Sequence, residues 1–281
     1  MLSRFQRVKL RITIRIAREL ARVTYLMLLC VSSIIGPDLS KKFRLSLRNY
    51  LVLDFKVDGI VFHCENVLTY ARAQLTYLKE DDTVEWLQGM EASSIIWDIG
   101  ANIGTISLKA AQIGHTVVAF EPLPGNYFAL IKNINNNIFG ERISAFCLAL
   151  YSETKISVLN VTLDEIGAAH NVFDSDINNE GRQFKPLQSI VALSITADEA
   201  ISRYKLKQPN YIKLDVDGNE LPILQGAHSV LESSELKGLL VELTASNESE
   251  TKQIISLLSS YNFRPQRALE GEVGNVIFTR D

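Results

Sequence analysis

From Ser94 onward, short apolar strand patterns alternate with helical patterns over about 190 residues. Most strand candidates are rich in Ile, Val and Leu, and most are followed by a segment whose apolar residues have helical spacing. Strands that alternate with helices pair in parallel, because each helix carries the chain back across one face of the sheet. The sequence therefore predicts an α/β fold with a doubly wound, mostly parallel sheet.

Individual elements can be placed along this pattern. The predicted strands are 94–98, 116–121, 143–150, 155–161, 190–195, 210–215, 239–243, 264–268 and 275–279, and the predicted helices are 105–113, 126–137, one beginning at Thr196, 219–231 and 248–260. Residues 152–189 interrupt the alternation and are expected to be an insertion. Upstream, residues 50–62 predict a hairpin that turns at Asp58 and Gly59, and residues 68–89 predict one or two helices.

Charge is distributed unevenly along the chain. Residues 1–48 contain eleven Lys and Arg against Glu19 and Asp38, a net charge of +9, so the other residues must carry −12 to give the overall −3. This division disfavours a nucleic-acid-binding surface over the whole protein. We expect three parts: a basic arm over 1–48, a hairpin and helical lead-in over 49–93, and a main domain over 94–281.

The arm combines a cationic stripe with an apolar run. Arginines recur every three or four residues from Arg4 to Arg22, which would align them on a helix, although 9–16 also alternates like a strand. The run 23–36 would extend roughly 21 Å as a helix, short of a hydrocarbon core of about 30 Å. We favour residues 1–36 lying on an anionic membrane surface. A helix packed on the main domain, a short signal-anchor and a cleaved signal peptide are the alternatives.

The cysteines indicate the compartment. Cys30, Cys64 and Cys147 are odd in number and widely spaced, which fits neither a disulfide framework nor a zinc site. Free thiols are typical of a reducing compartment. We therefore expect a cytoplasmic protein that can lie peripherally on the inner face of the membrane, with its oligomeric state left open.

A glycine turn follows the first strand of the alternating pattern. Gly100 and Gly104 delimit the turn Gly-Ala-Asn-Ile-Gly, and glycine permits sharp bends and close approach to a ligand. Ligands of doubly wound sheets bind beyond the carboxyl ends of strands. Glu121 ends the second strand, 23 residues after Asp98, where its carboxylate can accept two hydrogen bonds from a ribose. The combination predicts a nucleoside-type ligand.

The charge at the turn selects among such ligands. Asp98 would repel a pyrophosphate but would attract the ammonium and sulfonium groups of S-adenosylmethionine. The turn lacks the third glycine of the dinucleotide fingerprint, and the chain lacks the Walker pattern for ATP. S-adenosylmethionine is therefore the predicted cofactor. An NAD-type oxidoreductase and a catalytically silent binding domain of the same fold are the alternatives.

Charged residues near the strand 210–215 are candidates for the chemistry. Asp215 ends this strand at the same edge as the glycine turn, and Lys213 lies on the same face, so the two can pair. Glu220 opens the next helix, where a carboxylate is stabilised by the macrodipole even without a catalytic role. We predict that all three act on or orient the acceptor. His170 is a further candidate base, although an incidental loop histidine is the alternative.

Three motifs together resemble the FkbM-type methyltransferases. They are Trp97–Gly104 (WDIGANIG), Ala119–Pro122 (AFEP) and Ile212–Glu220 (IKLDVDGNE), and the resemblance covers about residues 66–245. It implies a Rossmann-like class I methyltransferase fold, S-adenosylmethionine as donor and usually a hydroxyl acceptor. It also implies donor contacts from Asp98, Gly100, Asn102 and Gly104 on the methionine side, from Glu121 to the ribose and from Ala149 near the adenine.

The resemblance and the insertion together suggest the reaction. We expect O-methylation of a saccharide, glycolipid or small metabolite held between the glycine turn and residues 152–189. The family more often has Glu where Asp217 stands, so this chain keeps the negative charge on a side chain with a shorter reach. Asp215, Asp217 and Glu220 could together ligate a divalent cation. Because strand-end and helix-start positions explain two of them, we expect no required metal. From the division of charge along the chain we expect no nucleic-acid partner.

Overall fold

A computed structural model describes most of the chain. The described residues are 19–20, 22–27, 29–30, 34, 38–43, 52–79, 81–266 and 273–280. The chain divides into two compact units, Met1–Leu53 and Asp54–Asp281. In the first unit residues 22–27 and 38–43 are helical, whereas the predicted stripe from Arg4 to Arg18, with the strand pattern inside it, lies outside the described residues. Among the helices described, none is both long and apolar enough to cross a membrane.

The second unit begins with the expected hairpin and helices. These are β1 (Leu53–Val57), β2 (Ile60–Cys64), α1 (Val67–Lys79) and α2 (Asp81–Gln88). Asp58 and Gly59 form the turn between the strands with left-handed φ values of 48° and 82°, a conformation that glycine and aspartate adopt most readily. Both the predicted turn and the helical lead-in are confirmed.

A seven-stranded sheet forms the centre of the second unit. In spatial order its strands are β12 (Arg264–Pro265), β13 (Val273–Thr279), β11 (Gly238–Thr244), β10 (Tyr211–Leu214), β3 (Ile95–Ile99), β4 (Thr116–Phe120) and β5 (Ile143–Phe146). The five strands from β11 to β5 are parallel, and β12 and β13 are antiparallel additions. The predicted mostly parallel sheet is confirmed. Its strand order reverses between β3 and β10, where such sheets bind ligands.

Helices cover both faces of this sheet. They are α3 (Thr105–Ile113), α4 (Pro124–Asn136), α5 (Ala197–Ser202), α6 (Glu220–Gln225), α7 (His228–Glu232) and α8 (Glu248–Ser260). Alternate residues of a strand face opposite sides. Trp97 and Ile99 of β3 therefore join the apolar cluster formed with α5 to α8, and Ile96 joins the cluster formed with α3 and α4. Burial on both faces explains why these strands are almost wholly apolar.

The insertion builds a second, four-stranded sheet with the strands that flank it. In spatial order its strands are β6 (Ala149–Leu150), β9 (Gln188–Ile195), β7 (Lys155–Val161) and β8 (Val172–Phe173). The prediction of one strand over 143–150 is wrong, because the chain leaves the central sheet after β5 and pairs β6 with β9. An apolar run shows that both pieces are buried but does not show which strand each piece pairs with.

The predicted helix over 219–231 is divided into α6 and α7 at Gly226. A Cβ atom at Gly226 would lie only 2.2 Å from the carbonyl oxygen of Tyr151, the residue after β6. Backbone therefore meets backbone at this point, and the helix ends where the contact occurs. Helical spacing of apolar residues continues across the break, which is why the sequence predicted one helix.

Close packing within the protein requires both glycines of the turn after β3. Gly100 has φ +83°, and a Cβ there would lie 1.9 Å from the carbonyl oxygen of Asp215. Gly104 has φ +89°, and its Cβ would lie 2.4 Å from Leu130 Cδ1. The two glycines were predicted to leave space for a ligand. At Gly100 the backbone of Asp215 excludes a side chain, whereas at Gly104 the left-handed φ and the end of the Leu130 side chain disfavour one.

Gly100→Ala should therefore destabilise the protein even in the absence of ligand. The left-handed backbone and the contact with the Asp215 backbone cannot be relieved by moving a side chain. We expect the free energy of unfolding to fall by at least about 2 kcal/mol in denaturant titrations. Gly140→Ala is the matched control, because a Cβ there meets nothing within 4 Å. Unchanged stability of Gly100→Ala would contradict this packing role.

Candidate active site

A cavity of about 320 Å³ lies at the carboxyl ends of β3, β4 and β10. Its volume is within the range of small-molecule sites in proteins. Six of the nine residues that the sequence predicted for the site line it: Asp98, Gly100, Asn102, Glu121, Lys213 and Asp215. The cavity therefore lies where the reversal of strand order places ligands in this class of sheet.

Ala149 and Gly104 lie beside this cavity. Ala149 lines a second, mainly apolar cavity of about 30 Å³ that shares Gly100, Pro122 and other wall residues with the first. Gly104 directly precedes α3 as its N-cap, and a Cβ there would meet the side chain of Leu130. An apolar pocket that adjoins a polar cavity suits a ligand with an aromatic base at one end and charged groups at the other.

Glu220 supports the loop that follows β10. Its carboxylate accepts hydrogen bonds from the N–H groups of Val216 and Gly218, both at 3.0 Å. Burial, together with the charges of Asp217 and Asp215, raises the pKa of Glu220 to about 8 despite hydrogen bonds that act in the opposite direction. The structure thus places Glu220 beneath the loop, while Lys213 and Asp215 lie in the cavity wall.

Ion pairs of Lys213 with Asp98 and Asp215 link the two central strands at the floor of the cavity. Lys213 Nζ lies 3.0 Å from Asp215 Oδ2 and 3.6 Å from Asp98 Oδ1, so the expected pairing of Lys213 with Asp215 is present. Lys213 and Asp98 occupy the same register position in β10 and β3 and are 3% and 1% exposed. The hydroxyl of Ser107 donates to Asp98 Oδ2 at 2.5 Å. Within the described residues Asp98 Oδ1 accepts no hydrogen bond, which suits a cationic ligand group.

Glu121 is fixed at the end of β4 by its neighbours. The N–H groups of Asn102 and Leu123 donate to Oε2 at 2.8 Å and to Oε1 at 3.0 Å, and Asn126 Nδ2 lies 3.4 Å from Oε1. Burial raises the pKa of Glu121 to about 7, although these hydrogen bonds and the charge of Arg72 act to lower it. Because an ionised carboxylate oxygen can accept two bonds, Oε2 keeps one position for a ligand hydroxyl.

The insertion supplies a roof over the cavity, formed by residues 166–171. The carbonyl oxygen of Ala168 accepts hydrogen bonds from Asn102 Nδ2 at 2.9 Å and from Asn126 Nδ2 at 3.0 Å. Asn126 Oδ1 in turn accepts from the N–H of Gly167 at 2.7 Å. One asparagine of the glycine turn and one of α4 thus hold the roof in place. The insertion thus lies at the edge of the sheet where its place in the sequence predicted it.

His170 of the roof contacts Asp217 through both its backbone and its ring. The backbone N–H of His170 donates to Asp217 Oδ2 at 2.6 Å, and its ring Nδ1 lies 3.0 Å from Oδ1. The hydrogen bond between the ring and the Asp217 carboxylate raises the pKa of His170. Burial acts to raise the pKa of Asp217, but the contacts with His170 outweigh burial and lower it. The side chain of His170 is 66% exposed, so Nε2 remains accessible, and the shorter side chain of Asp217 is sufficient for the contact.

Two cavity residues carried no signal in the sequence motifs. Glu242, near the end of β11, has a carboxylate oxygen within 4.8 Å of those of Asp215 and Asp217, a spacing that could hold a metal ion. Burial and the charges of Asp215, Asp217 and Glu220 raise the pKa of Glu242 to about 9. The sequence predicted that Glu220 would join Asp215 and Asp217 in a possible metal site, whereas in the structure Glu242 lies beside these two residues. Arg72 reaches the cavity from α1.

The mostly parallel α/β sheet with a ligand cavity at its strand ends is that of a class I methyltransferase. A family model described as a methyltransferase FkbM domain matches residues 98–265, which is more than half of the 281 residues. The chain belongs to this family, and its methyl donor is S-adenosylmethionine. Membership supports this donor over the NAD alternative, and the matched region contains all nine residues predicted for the site.

Individual relatives are distant. The hexuronic acid methyltransferase AglP of Haloferax volcanii is 27% identical over 181 residues, which cover 64% of this chain and 68% of AglP. A solved FkbM methyltransferase from Methylobacillus flagellatus has 16% identity and a TM-score of 0.43, covering 87% of this chain and 60% of that one. TYW2 of P. horikoshii in complex with MeSAdo has 14% identity and a TM-score of 0.46, with 81% and 69% covered.

Proposed function

We propose that this protein methylates a hydroxyl group of a saccharide, a glycolipid or a small metabolite. The observation that carries the proposal is one cavity in which donor-type residues, Asp98 and Glu121, lie together with His170 of the roof and its partner Asp217. AglP, a relative named for hexuronic acid methylation, supports a saccharide among these acceptors.

The predicted residues fit the donor. Asp98 Oδ1, buried without a hydrogen-bond donor among the described residues, suits the ammonium group, and the open position of Glu121 Oε2 suits a ribose hydroxyl. Ala149 lines the small apolar cavity, on whose side we place the adenine. Gly100 lines both cavities, and Asn102 lines the larger one. When bound, S-adenosylmethionine supplies a methyl group on a sulfonium that is already activated for in-line displacement.

The acceptor lies beneath the roof, and His170 removes its proton. Neutral His170 accepts the hydroxyl proton at Nε2, while Asp217 holds the ring through Nδ1 and stabilises the charge that develops. Asp215 orients the acceptor hydroxyl from the opposite wall, and Lys213 fixes the carboxylate of Asp215 by their ion pair. Glu220 contributes through the loop that it holds.

A labelling experiment tests the reaction and its independence of metal. Protein incubated with methyl-labelled S-adenosylmethionine and extracts of the source cell should yield a labelled product, and EDTA should leave this activity intact. Asp215→Asn should lower turnover at least about tenfold with a smaller change in donor affinity, as expected for a residue that acts mainly in the transition state. Loss with EDTA and recovery with magnesium would instead assign the carboxylates of Asp215, Asp217 and Glu242 to a metal. Donor binding without any labelled product would favour the silent-domain alternative.

The His170 pair gives the reaction a defined pH dependence. The base must be neutral, so kcat/KM should rise with pH through an apparent pKa above the ordinary histidine value, because Asp217 raises the pKa of His170. Asp217→Asn should move this rise to lower pH and reduce the plateau. His170→Gln should remove the rise and lower kcat/KM by about 10²–10⁴-fold. An unchanged pH profile in both variants would show that His170 is not the base.

We also infer that residues 1–36 contact the inner face of an anionic membrane. The charge of +9 over residues 1–48 supports this contact, as do the exposed side chains of Met27 and Ile34, at 63% and 83%. Full-length protein should sediment with anionic vesicles, bind neutral ones less, and be released by high salt. Equal binding to both vesicles would indicate a plain apolar anchor, and binding to neither would contradict the inference.

A further inference from the structure

The cationic side chains of the cavity differ in what they are paired with. Among the described residues that line it, these are Arg72, Lys213 and His170. Lys213 forms ion pairs with Asp98 and Asp215, and His170 pairs with Asp217. For Arg72, no ion pair with a described residue is present, although its charge acts to lower the pKa of the nearby Glu121 and Asp217 carboxyl groups. Arg72 is thus the cation whose charge is open to an anionic ligand.

Arg72 is also held in a fixed orientation. Its Nε donates to the carbonyl oxygen of Gly167 in the roof, and the N–H of Gly167 donates to Asn126 Oδ1 at 2.7 Å. Gly167 has φ +90°, and a Cβ there would lie 3.3 to 3.4 Å from atoms of Leu68 and Thr69, so the roof lies directly on α1. A guanidinium anchored through Nε keeps both terminal NH₂ groups for a ligand. Carboxylates accept such paired bonds well.

The remaining charge of the cavity makes this position selective. Five carboxyl groups line the cavity: Asp98, Glu121, Asp215, Asp217 and Glu242. In their ionised form these groups favour a cationic ligand and repel an anion wherever no cation compensates. The donor carries ammonium, sulfonium and carboxylate groups. Asp98 suits the first of these, whereas the carboxylate needs a donor-rich cationic partner, which the cavity provides at Arg72.

We propose that Arg72 is the carboxylate-binding residue of this cavity and that it holds the carboxylate of the donor's methionine portion. This role rests on the proposed function, because it requires the donor to bind in the cavity. An acidic sugar acceptor would present the same chemical group. Donor and acceptor are therefore separated experimentally, by ligands that differ only in the carboxylate.

The first experiment tests the donor by calorimetry with S-adenosylhomocysteine and with its decarboxylated analogue, which keeps the ammonium group. Wild type should bind the intact ligand more tightly. Arg72→Gln should weaken binding of S-adenosylhomocysteine by about 10–100-fold, the scale of charge-assisted hydrogen bonds, and should leave the analogue nearly unchanged. Arg72→Lys should be intermediate, because it keeps the charge without the paired geometry. Glu121→Gln is the matched control and should weaken both ligands equally, because both contain the ribose.

The second experiment tests the acceptor by comparing glucuronic acid with glucose as ligands of the protein loaded with S-adenosylhomocysteine. A selective loss of glucuronic acid binding in Arg72→Gln, with unchanged donor binding, would keep the carboxylate role and move it to the acceptor. The proposal would be overturned if, in both experiments, Arg72→Gln affected the ligand with the carboxylate and the ligand without it equally, or affected neither. If wild type binds neither S-adenosylhomocysteine nor its analogue, the proposed function itself fails, and the role of Arg72 fails with it. Thermal denaturation without ligand checks that each variant is folded.

Discussion

The buried ion pairs of Lys213 hold the two central strands and the site together. Lys213 and Asp98 lie side by side in neighbouring strands, and Asp215 extends the pairing into the cavity. Removing one member of a buried pair leaves an uncompensated charge and typically costs about 3–5 kcal/mol. The floor of the cavity is therefore part of the structural core. A change made here for its effect on chemistry will also act on the stability of the sheet.

Most other titratable groups in and directly beneath the cavity are buried carboxyl groups. Burial raises the pKa of Glu121 to about 7, of Glu220 to about 8 and of Glu242 to about 9. Such groups stabilise the folded protein most below their ordinary carboxyl pKa, and that contribution is lost as pH rises through these raised values. A cationic ligand opposes this loss, because it favours the ionised carboxylates. Binding of the donor and the stability of the protein at neutral pH are therefore linked.

The local spacing of apolar residues was sufficient to predict much of the fold. The alternation of strands and helices placed nearly every element, since spacings of two and of three to four residues reflect burial directly. Thr196 begins α5 as its sequence indicates, accepting a hydrogen bond from the N–H of Glu199 at 3.0 Å. The positions of Asp98, Glu121 and Asp215 at or next to strand ends also followed, because the carboxyl ends of parallel strands meet at one edge.

The sequence by itself thus determined the class of fold, the edge of the sheet at which the cavity lies and the motif residues placed there. Only the tertiary structure decided which side chains meet across that edge. Strand order brought Glu242 beside Asp215, and the roof brought Arg72 to Gly167, 95 residues away. Backbone contact at Gly226 divided a helix whose pattern was continuous. Periodicity reports how deeply a residue is buried, whereas its partner depends on strand order and close packing between segments distant in the chain.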